Sequence, residues 1–206
     1  MEPFHYHVYA CTQNKLDGAP CCSANGALET LQSLRRALAE QGLADAVQVT
    51  IGDMTTTPVP GAPFTIVYLV ANTIMNVTTQ DDQLAVFANA AAHLEPGGCF
   101  VVQVLVPQLR RVPPGEVGWV FTFDPDHVGI ETFDDLVGQI AWSHHWMEVE
   151  GRLVRHSAPY RYVWPSELDL MARIAGFRLR ERWAGWDRAP FTSDSRSQVA
   201  VFEKLP

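Results

Sequence analysis

Several residues have types and spacings that could do chemistry. Cys11 and Cys22 stand with ten residues between them, and Cys21 sits beside the second. Their thiolates could ligate a metal or an iron–sulfur centre. Asp53 follows the run "VQVTIG", where a strand end could present its carboxylate to a ligand. Asp126-His127 could act as orienter and base in taking a proton from an acceptor. Each has a plainer alternative. Asp53 could cap the turn "DMTTT", and Asp126-His127 could turn the chain after "FDPD". His144 and His145 are neighbours on an expected strand, so they point to opposite faces and cannot hold one metal together. They are expected to be partly buried or to line a pocket. Cys99 opens an apolar run and reads as a small core residue.

The totals narrow the classes of function. The chain has 206 residues, 47% of them hydrophobic, and a net charge of −8 at pH 7. That length can bury a core without disulfides. The acidic balance gives no footprint for nucleic acid, whose backbone rewards clustered Lys and Arg. The longest apolar runs fall short of the roughly 20 residues of a membrane helix. "MEPFHYH" has neither a basic start nor an apolar stretch, so no signal peptide is expected, and a reduced, cytoplasmic setting is. The oligomeric state stays open.

The elements that must position these residues alternate at first. "YHVYACT" reads as a strand, and a turn-rich loop leads to a helix ending near Gln41, capped by Ser23 or Asn25. Leu28, Leu31, Leu34 and Leu38 recur at helical spacing, and Gly42 stops the helix. "AVQVTIG" completes a βαβ unit. "FTIVYLV" reads as a strand covered on both faces. A helix over residues 80–94 follows, with Leu84, Phe87 and Ala91 inward, then "EPGG" and the strand "CFVVQVLV". The second half differs. "VGWVFTFD", "QIAWSHHWMEVEG" and "RLVRHSAPYRYVW" look like antiparallel strands, the last two joined at Glu150-Gly151. Pro165 opens a last helix with Leu168, Met171, Ala172 and Ala175 inward, and "FRLRERWAG" and "SQVAVFEKL" close the chain. Trp119, Trp142 and Trp146 could line an apolar pocket or simply pack.

"IGDM" (51–54), "FTIVYLVANTIMNV" (64–77), "HLEPGGCFVVQV" (93–104) and "YRYVWPSELDLMARIAGFRLRERWAGWD" (160–187) stand in one order. In these segments the chain resembles class I S-adenosylmethionine-dependent methyltransferases of the small-molecule type. The resemblance implies an α/β fold: a truncated Rossmann-like methyltransferase sheet, mostly parallel, with an antiparallel C-terminal portion. It implies S-adenosylmethionine as cofactor and a small organic acceptor as partner. Asp53 and Met54 would meet the adenine, and Val70, Ala71 and Asn72 would line the methionine part. The antiparallel strands and the loop Arg110–Glu116 would cover the acceptor. No catalytic residue is implied. The family's glycine-rich turn, E/D-x-G-x-G-x-G, and its second-strand carboxylate have no counterpart before Asp53.

Residues 4–50 resemble instead the first half of thioredoxin-like [2Fe–2S] ferredoxins, with Cys11 and Cys22 at the first two ligand positions. The second cysteine pair of that family has no counterpart, since its place reads "IGDMTTT". Two segments are therefore expected: residues 1–50 as a ferredoxin-type βαβ piece docked on the same sheet, and residues 51–206 as the methyltransferase-like portion, meeting near residues 49–52. The alternatives to a transferase are a non-catalytic iron–sulfur or redox binding protein, and an inactive hybrid of the two families.

Overall fold

The structure is a computed structural model, and it describes residues 6–10, 27–44 and 47–206. Strand β1 (Tyr6–Ala10) pairs in parallel with β2 (Val47–Ile51), and helix α1 (Ala27–Glu40) lies between them in sequence. Of the leucine stripe on α1, Leu31 is buried and Leu28 is exposed. The expected caps Ser23 and Asn25 lie outside the described residues. Among those residues no ladder joins β2 to the strands that follow.

A four-stranded sheet carries the core. It comprises β3 (Phe64–Leu69), β4 (Leu94–Leu105), β9 (Phe177–Trp183) and β10 (Ser197–Lys204), in the order β3-β4-β10-β9. β3 and β4 run parallel; β10 is antiparallel to both of its neighbours. Helices α2 (Gln80–His93) and α3 (Pro165–Ile174) supply the apolar cover. Phe87 of α2 meets Phe100, Phe177 and Phe202 edge-on, with ring centroids 5.1, 6.5 and 5.6 Å away. Such arrangements add to area burial, because ring edges and faces carry opposite partial charge. Thr79 caps α2, its hydroxyl accepting from the Asp82 amide at 3.1 Å. Pro165 opens α3 where its missing N–H costs nothing.

A second four-stranded sheet fills the middle of the chain: β5 (Gly118–Asp124), β6 (His127–Asp135), β7 (Ile140–Val149) and β8 (Arg152–Arg161), antiparallel throughout. Glu150 and Gly151 both have positive φ, which turns β7 tightly into β8. Gly118 lies so close to the Glu131 carbonyl that any Cβ there would collide with backbone. Phe133, Ala141 and Tyr162 bury this sheet's core-facing side against the first. Among the described residues no helix is long and apolar enough to cross a membrane.

Three expectations are corrected. The sheet is not mostly parallel: only β1–β2 and β3–β4 pair that way among the described ladders. The returning strand β10 separates β4 from β9, and the covering sheet is built of hairpins. β3 is not covered on both faces: Val67 and Leu69 pack against the core, whereas Ile66 and Tyr68 on the alternate face are 54% and 55% exposed. The stretch after "FDPD" is more than the expected turn: Pro125 and Asp126 turn the chain, and His127 then begins β6, a strand whose Gly, Glu and Thr residues blur the apolar alternation.

Candidate functional site

The residues expected to meet a cofactor lie in two loops that follow β2 and β3. After β2 the chain turns at Asp53. Its Oδ1 accepts from the Thr55 amide at 2.8 Å and the Thr55 hydroxyl at 2.7 Å. The Asp53 amide donates to Thr57 Oγ1 at 2.8 Å, and its carbonyl accepts from the Thr57 amide at 2.8 Å. Asp53 thus caps the turn through one carboxylate oxygen. The residue is exposed, and its second oxygen engages no described residue.

Helix α2 anchors this loop. Asn89 donates to the carbonyls of Met54 and Thr57 at 2.9 and 3.3 Å. His93 Nε2 accepts from the Val59 amide at 2.7 Å, so its Nδ1–H faces the Asn89 carbonyl at 2.7 Å. Met54 packs against the main core.

The loop after β3 is strained. Ala71 and Asn72 both occupy the left-handed region, at φ 55° and 61°. A residue with a Cβ adopts that conformation at a cost, which surrounding bonds must offset. Gln103 of β4 provides them: its Oε1 accepts from the Ala71 amide at 2.6 Å, and its carbonyl from the Asn72 amide at 3.3 Å. Asn72 Oδ1 accepts from the Leu105 amide at 2.9 Å, and Thr73 closes the turn by donating to the Val70 carbonyl at 2.6 Å. A short 3-10 turn, Thr73–Asn76, buries Ile74 and Met75 and leads into α2. Both loops are therefore fixed to one helix, and each follows the carboxyl end of a strand. In open α/β sheets that is where ligands bind.

The covering sheet brings further groups to its core-facing side. Trp119 and Tyr160 pack on the main core, and both donate to Glu131, Trp119 Nε1 at 2.9 Å. Arg111 lies over the Trp119 ring, 4.9 Å from its centroid. In the next row His145 Nδ1 faces His127 Nε2 at 2.8 Å, and its Nε2 faces the Ser143 hydroxyl at 2.9 Å. Burial, and then the charges of His127, His156 and His144, hold His145 below the usual imidazole range. His144 points the other way, toward the Ser157 hydroxyl at 2.8 Å, as strand alternation requires. The loop 110–116 reaches the core through Leu109 and Val112 at its entrance.

Sequence reasoning missed a buried network that fastens these parts together. Gln83, fully buried, donates to the carbonyls of Ile74 and Val77 at 3.1 Å and of Arg161 at 3.3 Å. Arg161 donates to Gln83 Oε1 at 2.5 Å and to Glu167 Oε1 at 2.7 Å. Gln80 and Gln139 also donate to Glu167, at 2.6 and 2.8 Å. Burial alone would raise the Glu167 carboxyl; the bonds from Arg161, Gln139 and Gln80 and the Arg161 charge outweigh it and hold it below the usual range. A Gln on the inner stripe of a helix otherwise apolar was the available signal.

Cys11, Cys21 and Cys22 lie outside the described residues. Cys99 is half-buried and free, and Arg180 donates to its sulfur at 3.7 Å. Among the described residues no group of three or more His, Cys, Asp or Glu side chains could hold a metal ion. Asp126 and His127 do not pair as orienter and base: the His127 ring engages His145.

No family model matches the chain. Among curated proteins it is 24% identical over 143 residues to the cypemycin N-terminal methyltransferase of a Streptomyces species, covering 68% of this chain and 58% of that protein. The chain thus spans less than two thirds of that relative's length. Among solved structures it is similar to the CcbJ methyltransferase of Streptomyces caelestis, at 31% identity and a TM-score of 0.74, over 85% of this chain and 71% of that one. An S-adenosylmethionine-dependent methyltransferase of Clostridium acetobutylicum shares the fold at 11% identity and a TM-score of 0.70, over 98% of this chain and 84% of that one.

Proposed function

The chain belongs to the S-adenosylmethionine-dependent methyltransferase family, and from that premise we propose that it transfers a methyl group to a small organic acceptor. One observation carries the reading: two consecutive non-glycine residues, Ala71 and Asn72, are held in the left-handed region at a strand end. Strain of this kind persists where it shapes a site. The residues present fit the cofactor. Asp53 has an exposed carboxylate oxygen free to accept from an adenine amino group, and Met54 lies beside it to pack on the ring. Val70, Ala71 and Asn72 line the methionine part. When bound, S-adenosylmethionine supplies an electrophilic methyl group on a sulfonium.

The chain's own residues bind, orient and exclude water. Methyl transfer is an in-line displacement, so alignment can supply much of the acceleration. The covering sheet closes the acceptor side, and the loop 110–116 borders it. The same proposal reads residues 1–50 as a βαβ piece docked beside β3, whose Ile66 and Tyr68 present an uncovered apolar face.

Calorimetric titration with S-adenosylhomocysteine tests the reading. The Asp53→Asn variant isolates the adenine contact, because its amide oxygen still accepts from Thr55 while the other position becomes a donor. Wild type is expected to bind, and the variant to bind about tenfold more weakly, the usual loss for a bond to a charged group. No heat from wild type at millimolar ligand would end the proposal.

A further inference from the structure

Replacing the hydrogen on a heteroatom by a methyl group leaves one proton to be carried away, and the reading above gives it no route. The covering sheet holds one. A row of half-buried side chains stands on its core-facing side: Ser143 and His145 of β7, two residues apart and so on one face, and His127 at the start of β6. The inner end is Ser143, next in that row to the buried Ala141. Its hydroxyl lies 2.9 Å from His145 Nε2, and His145 Nδ1 lies 2.8 Å from His127 Nε2.

The two imidazoles are joined edge to edge. Their planes differ by 15° and their centroids are 5.1 Å apart. That separation is the N···N distance plus one ring radius on each side, so both nitrogens point along the line between the rings. A neutral imidazole has a donor nitrogen and an acceptor nitrogen, so it can take a proton at one edge and release another at the next. Packing fixes the row. Phe121 meets the His145 ring edge-on at 5.4 Å, and it lies over Gly129, where any Cβ would fall 2.4 Å from its ring. His156 stands opposite His145 on β8, and Asp124 opposite His127 on β5. His144 turns to the other face, toward Ser157. Burial and the neighbouring imidazoles hold His145 toward its neutral form. The outer end of the row is a cavity of about 320 Å³, which His127 lines with Asp126 and Glu148. Carboxylates there favour the arrival of a proton.

We propose that Ser143, His145 and His127 form a proton exit from the acceptor side of the covering sheet to this cavity. In the transfer, the methyl carbon leaves its sulfur, which keeps the bonding pair, and bonds to the acceptor heteroatom through that atom's lone pair. The heteroatom's hydrogen passes to Ser143 Oγ as the Ser143 hydrogen passes to His145 Nε2. The Nδ1 hydrogen of His145 then passes to His127 Nε2, and the Nδ1 hydrogen of His127 passes to water. One O–H or N–H bond forms for each that breaks. That the proton comes from a methyl acceptor rests on the transferase reading; conduction along the row does not.

The full chain labelled with 15N-histidine tests the exit at neutral pH. Long-range 1H–15N spectra, assigned with His127→Phe and His145→Phe, read which ring nitrogens carry hydrogen. His145 is expected to carry its hydrogen on Nδ1 and to leave Nε2 bare, and Ser143→Ala should shift the Nε2 resonance. Exchange of the Nδ1 hydrogen with water is then measured by saturation transfer. A merely structural bond would protect that hydrogen, so losing the bond in His127→Phe would speed exchange. A conduit predicts the reverse, exchange about tenfold slower. Thermal melts check that the variant folds, and His127→Leu replaces it if it does not. Hydrogen on Nε2 in wild type, an Nε2 resonance indifferent to Ser143→Ala, or exchange unchanged or faster in the folded His127 variant would overturn the proposal. S-adenosylhomocysteine is titrated in parallel. Its binding without slowed exchange removes the exit alone, and slowed exchange without its binding removes the transferase reading alone.

Discussion

At the scale of single residues, the groups that matter are those whose environment contradicts their type. Ala71 and Asn72 take a backbone shape that glycine would adopt freely, and three bonds from β4 hold them there. His145 is an imidazole among imidazoles. His127 faces it from β6 and His156 from β8, with His144 beside it, while Asp124 stands opposite His127 on β5. Phe121 meets its ring edge-on at 5.4 Å. Since folding lowers its affinity for a proton, the unfolded chain binds the proton more tightly. The resulting stability is complete above the ordinary imidazole value of 6.5 and is lost as pH falls through the lower folded value. Denaturant midpoints between pH 7.5 and 5 should decline with acid in wild type and decline less in His145→Gln. Equal slopes would show that this ring does not set the dependence.

At the scale of elements, α2 is the keel. It anchors the Asp53 loop through Asn89 and His93, the 3-10 turn through Gln83, and the covering sheet through the Gln83–Arg161 pair. The side chains of Arg161 and Glu167 are 4% and 11% exposed. Removing one partner strands the other's charge, so Glu167→Ala should cost about 3–5 kcal/mol, on the order of 10 °C in Tm. A change within 1–2 °C would mean that water replaces the carboxylate readily. Acid should act in the same direction. The lowered Glu167 pKa confers stability above the usual carboxylate range, and that stability is lost as pH falls through the folded value.

The elements themselves were largely legible. α2 and α3 are legible from helical spacing to within a residue at most boundaries, and Pro165 marks the start of α3 with local chemistry. β6 was not legible, since "HVGIETFDD" has a glycine under the Phe121 ring and a functional-looking glutamate where apolar residues would alternate. Glu131 and Glu167 could not be singled out for a similar reason. Their hydrogen-bond partners lie 6 to 87 residues away, and no local pattern encodes such pairings.

At the scale of the whole molecule, two sheets meet over one aromatic core, and the loops after β2 and β3 open beside their junction. The family order of segments from "IGDM" onward made that arrangement readable as a methyltransferase-like fold. The antiparallel run of β5, β7 and β8 is legible in the sequence, whereas a mostly parallel main sheet is not what forms, because β10 inserts antiparallel between β4 and β9 and such pairing order is fixed by contacts distant in sequence. The site's location is best tested by photolabelling the full chain with methyl-tritiated S-adenosylmethionine and mapping the labelled peptides. Label within residues 52–58 or 70–76, suppressed by S-adenosylhomocysteine, is the expected result. Label confined to other segments, or none that the competitor suppresses, would contradict a cofactor site at these strand ends.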